Sequence, residues 1–575
     1  MEGNDWSPVA RRYLPHTNII ETSFETPTGV ATVTDLMVLH VTQFAEPEAL
    51  PPQRLLRVVK CESGTVEGRF VAQVSTHFGR EALEFEDAGP HRRTSANSED
   101  HALQIESDRE FSVSQLGRTL ADFRLQTGER AFFAVSSSVD SAAAPLFDLD
   151  DALEALRLTR SFWEEWAARL TYDGPHREMV ERSLLALKLL TYSPTGAIIA
   201  APTTSLPEAV PGNRNYDYRF SWIRDASFTI SAFCNLGYSD EAEQYLRFLC
   251  EVEGDNAREL RLLYPIADSP TQERVLEHLP GWNGVGPVRI GNAAADQKQY
   301  DIFGEFMVAI HAYLEAVDYQ PPEWAGERIP RIVRNLATQA LSHLGEPDRG
   351  IWELRDSSSV NQHSQAMLWV ALDRAVKIAG KLGGFEADEI ALWKSGADQQ
   401  RSVFPEACWN DDLQFYARGV GSDVLDAAVM RTALFGAVDP AGERMRRTLE
   451  AIERKLIDPE DEDLVYRYRE DDGLEGEEAT FLACAFWRVG VLALRGDNFP
   501  AEEVFSRLLT KVNDLGLLPE EIEAGSNEFR GNFPQAFSHM CVINHAIRLQ
   551  EARHAADWPS REPTSTAEQT EKLLP

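Results

Sequence analysis

The chain has 575 residues, 43% of them hydrophobic, and its 56 lysines and arginines against 92 aspartates and glutamates leave a formal net charge of −36. This length exceeds one ordinary hydrophobic core, so we expect two or more domains. The charge argues against nucleic acid and anionic membranes as partners, because such surfaces are bound by clustered cations. It suits a neutral or cationic small-molecule substrate.

The N-terminus and the cysteines bear on the compartment. Residues 1–18 contain charges and prolines but no apolar core, which is unlike a signal peptide. No run of about 18 apolar residues is present, so we expect no transmembrane helix. The six cysteines are widely spread without a Cys-x-x-Cys pair, which is typical of buried thiols in a reducing compartment. We therefore expect a cytoplasmic protein.

Up to about residue 140, the chain reads as short segments that alternate apolar and polar residues. Clusters of Gly, Pro, Asn and Asp separate them, which predicts an antiparallel β-sandwich over residues 1–147. Residues 148–174 are predicted to be a helical linker, because Leu153, Leu156, Phe162 and Trp166 recur at helical intervals.

After Pro175 the pattern changes to helices joined by alternately short and long connections. Twelve helices paired as six hairpins close into an (α/α)6 barrel, so the fold class is mainly α and the barrel spans residues 175–555. The polar tail at 556–575 is predicted to be disordered. The helices are predicted near residues 177–193, 225–236, 239–253, 298–317, 325–344, 363–382, 385–403, 423–436, 441–456, 478–494, 499–514 and 534–551.

Five long connections hold most of the loop aromatics and charges. In a hairpin barrel, the loops at one end collect around a single mouth, and long loops in compact domains tend to be functional. These connections span residues 203–224, 254–297, 346–362, 458–477 and 516–534.

Residues 215–225, with the sequence NYDYRFSWIRD, combine four aromatics, two arginines and two aspartates. Aromatic faces, a guanidinium and a carboxylate together suit a site for a sugar ring. Cleavage of a glycosidic bond takes two carboxyl groups, one as acid and one as base or nucleophile. Glu353 follows Ile351-Trp352, an apolar setting that raises a pKa, and Glu520-Glu521 follow Pro519. An ordinary loop glutamate is the alternative for each.

Three other kinds of site find little support. Gly284, Gly286 and Gly291 follow no strand and lack the Gly-Lys-Ser/Thr ending of a phosphate loop. His539 and His545 are six residues apart, on different faces of a helix, and no other metal-ligand spacing is present. A Gly-x-Ser-x-Gly nucleophile elbow is also missing.

Residues 213–229 resemble the first signature of glycoside hydrolase family 15, the glucoamylases and the bacterial or archaeal trehalases. Five further segments resemble family motifs in the same order, and an N-terminal β-sandwich before the barrel is similar to prokaryotic members. The segments are residues 286–294, 350–355, 369–375, 465–474 and 532–539.

The resemblance implies an exo-acting hydrolase that releases glucose from the non-reducing end of an α-glucoside with inversion. Glu353 resembles the general acid and Glu520 the general base, with carboxyl groups about 6.5–9.5 Å apart. Arg224 and Asp225 resemble the residues that bind the outer hydroxyls of the glucose. The other sugar-binding positions implied are Tyr218, Trp222, Trp352, Arg355 and Arg467.

The chain also departs from the family pattern. It has Tyr216 in place of Trp, Gln365 in place of Lys and Glu478 in place of Gly, and it begins inside the usual sandwich, which predicts an incomplete or rearranged one. These departures affect the substrate more than the reaction. Trehalose is the first expectation, followed by maltose, isomaltose or short α-glucans. A specialised glucoside, an inactive carbohydrate-binding homologue and a scaffold are the alternatives.

Acid–base hydrolysis needs neither a metal nor an organic cofactor, so we expect none. The partner is a small carbohydrate, with no nucleic acid and no membrane. The sequence leaves open the oligomeric state and whether Glu521 shares the role of the base.

Overall fold

The computed structural model describes residues 6–39, 53–83, 85–87, 93–97, 102–113, 118–138, 147–253, 260–267, 269–355, 358–470 and 472–557. The chain divides into two compact units, Met1–Arg169 and Leu170–Pro575; the domain bounds given above remain a prediction beside this division. Most of the predicted tail lies outside the described residues. No helix in the described ranges is long and apolar enough to cross a membrane.

The first unit is an antiparallel β structure in which most strands join one 10-stranded sheet. The long sheet path runs β1-β2-β3-β4-β12-β9-β8-β7, and β11 pairs with β4 and β10. The strands are β1 Ser7–Tyr13, β2 Ile20–Thr26, β3 Gly29–Met37, β4 Gln53–Ala72, β5 Ser75–Thr76, β6 Glu81–Ala82, β7 Glu86–Asp87, β8 Arg93–Asn97, β9 Ala102–Ser107, β10 Ser112–Val113, β11 Thr119–Gln126 and β12 Arg130–Ser138.

Strand β4 pairs with different strands along its two halves. Its first half pairs with β12 over residues 53–60, and its second half pairs with β11 over residues 65–72. Gly64 lies between the halves with φ of +74°, a conformation that glycine adopts without strain. Phe70, from the second half, stacks on Phe133 of β12 with ring centroids 4.4 Å apart. The strand therefore bends over its own sheet and closes the aromatic core.

A helix, α1 (Leu149–Ala167), ends the first unit where the linker is predicted. Asp148 caps its N-terminus by accepting from the backbone N–H of Asp151, whose side chain accepts from the N–H of Asp148 in return. Trp163 and Trp166 are buried, as the helical spacing of the apolar residues indicates.

The second unit is built from six helix pairs, in which one helix of each pair is internal. The internal helices are α3 (Ile223–Asn235), α5 (Asp301–Ala316), α8 (Gln362–Leu382), α10 (Val429–Leu434), α12 (Leu482–Leu494) and α14 (Ala536–Asp557). Their partners are α2 (Arg177–Leu189), α4 (Ser239–Glu253), α7 (Arg328–Ser342), α9 (Ala387–Cys408), α11 (Glu443–Lys455) and α13 (Asn498–Leu508), with a single turn, α6 (Glu323–Gly326), before α7.

The internal helices form a closed ring, because α3 contacts α5, and the contacts continue through α8, α10, α12 and α14 back to α3. Helix α5 is buried at every position from 301 to 314. Helix α7 buries only one stripe, with Ile329, Ile332, Val333 and Leu336 at helical spacing. The inner helix is thus buried on all sides, whereas the outer helix is buried on one face.

The connections that lead into the internal helices contain short antiparallel ladders. These ladders hold several of the residues singled out above, since Trp222 ends one strand and Glu521 begins another. The strands are β13 Thr191–Tyr192, β14 Ala197–Ile198, β15 Ser221–Trp222, β16 Leu263–Tyr264, β17 Arg274–Val275, β18 Arg289–Ile290, β19 Trp409–Asn410, β20 Phe415–Tyr416, β21 Thr480–Phe481, β22 Glu521–Ile522 and β23 Phe529–Arg530.

Helix α10 is shorter than the predicted 423–436. The Asp426 carboxylate accepts from the N–H of Ala428 and from the Nε of Arg418, and it holds the preceding residues in a turn. A side chain that bonds to its own backbone two residues on competes with helix formation.

Candidate active site

A cavity of about 500 Å³ opens where the internal helices begin, among the connections that precede them. Its walls come from segments far apart in sequence, including residues 208–225, 351–355, 467–474 and 520. All nine site residues named from the sequence line it: Tyr218, Trp222, Arg224, Asp225, Trp352, Glu353, Arg355, Arg467 and Glu520.

Glu353 lies on one wall with its side chain about a quarter exposed. Its Oε1 accepts from the indole Nε1 of Trp222 and from the Nη2 of Arg224, each at 3.0 Å. The backbone of Glu353 has φ of +59°, a conformation that is strained for a residue with a side chain. Residues with such strain cluster at functional sites. Burial raises the pKa of Glu353, while Arg224 and the Trp222 hydrogen bond act in the opposite direction.

The buried guanidinium of Arg224 joins Glu353 to the residues beneath the cavity. Its Nη1 donates to Asp301 Oδ2 at 2.7 Å and to Gln299 Oε1 at 2.9 Å. These bonds fix the direction in which Nη2 reaches Glu353. Asp225 lies beside it, and burial raises the pKa of Asp225 to about 6, against the opposing charge of Arg224.

Glu520 lies on another wall and is only 2% exposed. Its Oε1 accepts from the Tyr218 hydroxyl at 2.8 Å, and its Oε2 has no hydrogen-bond partner in the described part of the chain. Gly531 makes room for this carboxylate, because a Cβ there would lie 2.4 Å from Oε2. Burial and the neighbouring Glu208 raise the pKa of Glu520 well above its ordinary value.

Glu521 points away from the cavity that Glu520 lines. It is fully buried, and its Oε1 lies 3.2 Å from the Nη2 of Arg467. Of the two adjacent glutamates, only Glu520 lines the cavity, and Glu521 reaches an arginine rather than solvent.

The aromatic and arginine side chains are held by fixed partners. Trp352 donates from its Nε1 to both oxygens of Asp426, at 2.8 and 3.0 Å. Arg355 forms two hydrogen bonds to Glu273, at 3.2 and 2.9 Å, and lies over the ring of Tyr216. Such groups meet a ligand in a preset geometry.

Comparison with known proteins places the chain in a family. The model of glycosyl hydrolases family 15 matches residues 174–496, more than half of the chain. The chain is 35% identical over 585 residues to a trehalase of Mycolicibacterium smegmatis, covering 96% of this chain and 84% of that protein. The chain belongs to glycosyl hydrolase family 15.

Two further comparisons concern sequence and fold. A trehalase of Thermoplasma volcanium is 39% identical over 414 residues, which cover 71% of this chain and 64% of the relative. A bacterial glucoamylase solved in complex with acarbose matches 95% of this chain and 86% of its own, with a TM-score of 0.71 at 14% identity. The predicted class, a barrel after an N-terminal antiparallel β domain, is confirmed, and the protein is a glycoside hydrolase.

The three departures from the family 15 pattern lie in different surroundings. Tyr216 lines the cavity beneath Arg289 and Arg355. Glu478 contacts Arg467. Gln365 is a buried residue of α8 that accepts from the backbone of Gly345 and does not line the cavity.

Sequence reasoning did not single out Glu208, Arg214 or Glu273. Glu208 and Arg214 line the cavity, and Glu273 pairs with Arg355. The signal available was their position in the long connections 203–224 and 254–297, but a loop glutamate or arginine carries no spacing that reveals its partner.

Two groups of three side chains in the described ranges have ligand atoms close enough to hold a metal ion. Arginines already contact the carboxylates of both groups: Arg224 and Arg431 in the first, Arg467 in the second. The guanidinium groups thus bring positive charge to these oxygens. The groups are Asp301, Glu305 and His363, and Glu208, Glu478 and Glu521.

Proposed function

We propose that this protein hydrolyses trehalose, acting on one terminal glucose with inversion of its anomeric carbon. The observation that carries the proposal is the pair Glu353 and Glu520 in one cavity, each held by donors from residues 218–224. The names of the 35–39% identical relatives, all trehalases, favour trehalose among α-glucosides.

In this mechanism Glu353 is the general acid. Its proton passes to the oxygen between the two glucose units as the bond from that oxygen to the anomeric carbon breaks. The raised pKa that burial produces keeps a carboxylic acid protonated closer to neutral pH. When substrate hydroxyls engage Arg224, they compete with Glu353 for its guanidinium, and this competition further favours the protonated acid.

Glu520 is the general base. It takes a proton from a water molecule whose oxygen attacks the anomeric carbon from the face opposite the leaving group. The Tyr218 hydroxyl holds Glu520 Oε1, and Glu520 lines the cavity in which that water would lie. The attacked glucose leaves as the β anomer, and the other glucose leaves with its α configuration unchanged.

The cavity supports action at a chain end. Its volume of about 500 Å³ lies within the usual range for small-molecule sites. The residues that resemble the outer-hydroxyl contacts, Arg224 and Asp225, are buried beneath it, so a glucose that reaches them has no room for an extension beyond. Trp222, Tyr218 and Trp352 offer aromatic faces to the apolar sides of the sugar ring.

A specialised α-glucoside is a second candidate, because Tyr216 lies on the cavity wall in a position where family members carry Trp. Tyrosine fills less space than tryptophan and presents a hydroxyl. This difference affects which second sugar the cavity accepts, and it leaves the acid and base roles unchanged.

The test is release of glucose from trehalose, maltose, isomaltose, nigerose, kojibiose and soluble starch, with the anomers followed by proton NMR in the first minutes. Trehalose cleaved with inversion yields equal α- and β-glucose at the start, and ¹⁸O from labelled water enters only the β anomer. Initial formation of α-glucose alone would identify a retaining reaction. Activity on another sugar of the panel and none on trehalose would favour the second candidate.

A further inference from the structure

The base side of the cavity holds more buried carboxylates than its arginines balance. Glu208, Glu478 and Glu521 all contact one guanidinium, that of Arg467. A second arginine nearby, Arg214, forms two hydrogen bonds to Asp472, at 2.9 and 2.7 Å. Arg214 also lies 3.7 Å from Glu478 Oε1, so two guanidinium groups face the four carboxylates of Asp472, Glu208, Glu478 and Glu521.

Glu208 and Glu520 share one hydroxyl. The Tyr218 oxygen lies 2.8 Å from Glu520 Oε1 and 3.4 Å from Glu208 Oε1. A hydroxyl carries one proton, so it serves one carboxylate well only at the expense of the other. The two glutamates, 312 positions apart in sequence, therefore compete for the same donor.

Arg467 favours Glu208 over Glu520 as the carboxylate that ionises first. Its Nη2 lies 3.3 Å from Glu208 Oε2, and Glu208 is 2% exposed. Burial raises the pKa of Glu208, and Arg467 and Arg214 act against that rise. Burial and the charge of Glu208 raise the pKa of Glu520 well above its ordinary value, and Arg467, which forms its hydrogen bond to Glu208, opposes this rise as well. Proton release from the two groups is coupled.

We propose that Glu208 is a positioning residue of the base: its negative charge and its competition for the Tyr218 hydroxyl make Glu520 a stronger proton acceptor. This inference rests on the proposed function, in which Glu520 deprotonates the attacking water. A base is most effective when its pKa lies near the working pH, because a weakly basic carboxylate takes a proton less readily. Glu208 supplies that basicity through its charge and through the Tyr218 hydroxyl that it shares with Glu520.

Other charged groups lie near Glu208 and Glu520, and the test must separate their effects on Glu520 from the effect of Glu208. Tyr218 faces both carboxylates, and Arg467 faces Glu208 from the connection before β21. Glu521 and Glu478 reach Arg467 from β22 and from the residues before β21. Substituting Glu208 alone leaves the other groups in place.

The experiment is the pH dependence of kcat/KM for trehalose in the Glu208→Gln variant. Glutamine keeps the volume and removes the charge, and its amide no longer accepts from Tyr218 through a carboxylate. The acidic limb, which reports ionisation of Glu520 in the free enzyme, should move to lower pH by about 1 unit. The plateau of kcat should fall by a few-fold because the base is weaker.

Glu277→Gln is the matched control, since Glu277 is exposed and outside the cavity, and its limbs should coincide with those of the wild type. If the acidic limb of the kcat/KM profile does not move in Glu208→Gln, the inference is overturned. Loss of all activity in a folded variant also overturns it, because that result makes Glu208 a group that contacts the reacting atoms. If circular dichroism shows an unfolded variant, Glu208→Asp should move the limb in the same direction by less, and an unmoved limb again overturns the inference.

Glu520→Gln separates this inference from the proposed function. An inactive Glu520→Gln together with an unmoved limb in Glu208→Gln removes only the role of Glu208. A fully active Glu520→Gln removes the base assignment itself.

Discussion

The two carboxylates of the cavity differ in how their charge is stabilised. Glu353 accepts from a guanidinium and an indole N–H. Glu520 accepts from the neutral Tyr218 hydroxyl and has the carboxylates of Glu208 and Glu521 nearby. A cationic guanidinium adds a Coulombic attraction to a carboxylate that a neutral hydroxyl does not supply. Glu520 is therefore the harder of the two carboxyl groups to ionise. In the proposed mechanism, substrate draws Arg224 away from Glu353 and thereby favours the protonated form of the acid.

Loss of either carboxylate is expected to have the largest effect. Glu353→Gln and Glu520→Gln should each lower kcat for trehalose by roughly 10²–10⁴-fold, because positioned acid and base groups contribute that much. Thermal unfolding should show that both variants fold, and Glu277→Gln should behave as wild type. Near-normal turnover in either variant would contradict its assignment.

An activated substrate distinguishes the two sides. α-Glucosyl fluoride has a leaving group that needs little protonation, so Glu353→Gln should recover most of its activity on it. Glu520→Gln should remain slow, since water must still lose a proton. If Glu520→Gln recovered on this substrate and Glu353→Gln did not, the acid and base assignments would have to be exchanged.

Gly531→Ala should affect the base side at an intermediate level. Its Cβ would lie 2.4 Å from Glu520 Oε2 and displace the carboxylate, and a misplacement of about 1 Å can cost roughly 10²-fold in rate. Gly284→Ala is the matched control, because Gly284 has φ of +78° against +73° for Gly531 and no atom within 4 Å of the new Cβ. Both variants should lose roughly 1–2 kcal/mol of stability from the left-handed backbone. Equal activity in the two would show that Gly531 does not position Glu520.

Single hydrogen bonds are expected to have the smallest effects, on opposite limbs of the pH profile. Trp222→Phe removes a donor from the Glu353 anion, so its pKa rises and the basic limb of kcat/KM moves to higher pH. Tyr218→Phe removes the donor to the Glu520 anion, so the acidic limb moves to higher pH. Each shift should be about 1–2 pH units, because a hydrogen bond to a charged group is worth about 1.5–3 kcal/mol and one pKa unit corresponds to about 1.4 kcal/mol.

Trp282→Phe, an exposed tryptophan outside the cavity, is the control for these two variants and should leave both limbs in place. If Trp222→Phe moved the acidic limb instead, the acid and base sides would have to be exchanged. Burial raises the pKa of both carboxyl groups, so both limbs should lie above the ordinary value of a glutamate.

The sequence by itself determined the architecture and nine of the residues that line the cavity. Helical periodicity after Pro175 shows which faces are buried, and Trp222, Arg224, Glu353 and Glu520 belong to local segments with a distinctive composition. A pattern within one segment can be recognised without knowledge of the tertiary contacts of that segment. The length of α10 was not predicted, because the bonds of Asp426 to Ala428 and Arg418 override the local periodicity.

Only the tertiary structure decided which charges meet. Glu208 reaches Arg467 from 259 positions away, Arg224 reaches Asp301 and Arg214 reaches Asp472, and no spacing in the sequence relates these residues. Electrostatic interaction depends on distance and burial in three dimensions, and both follow from how the connections fold over the helix ends. The residues proposed to act as acid and base can be recognised in the sequence, whereas the charged groups that surround them cannot.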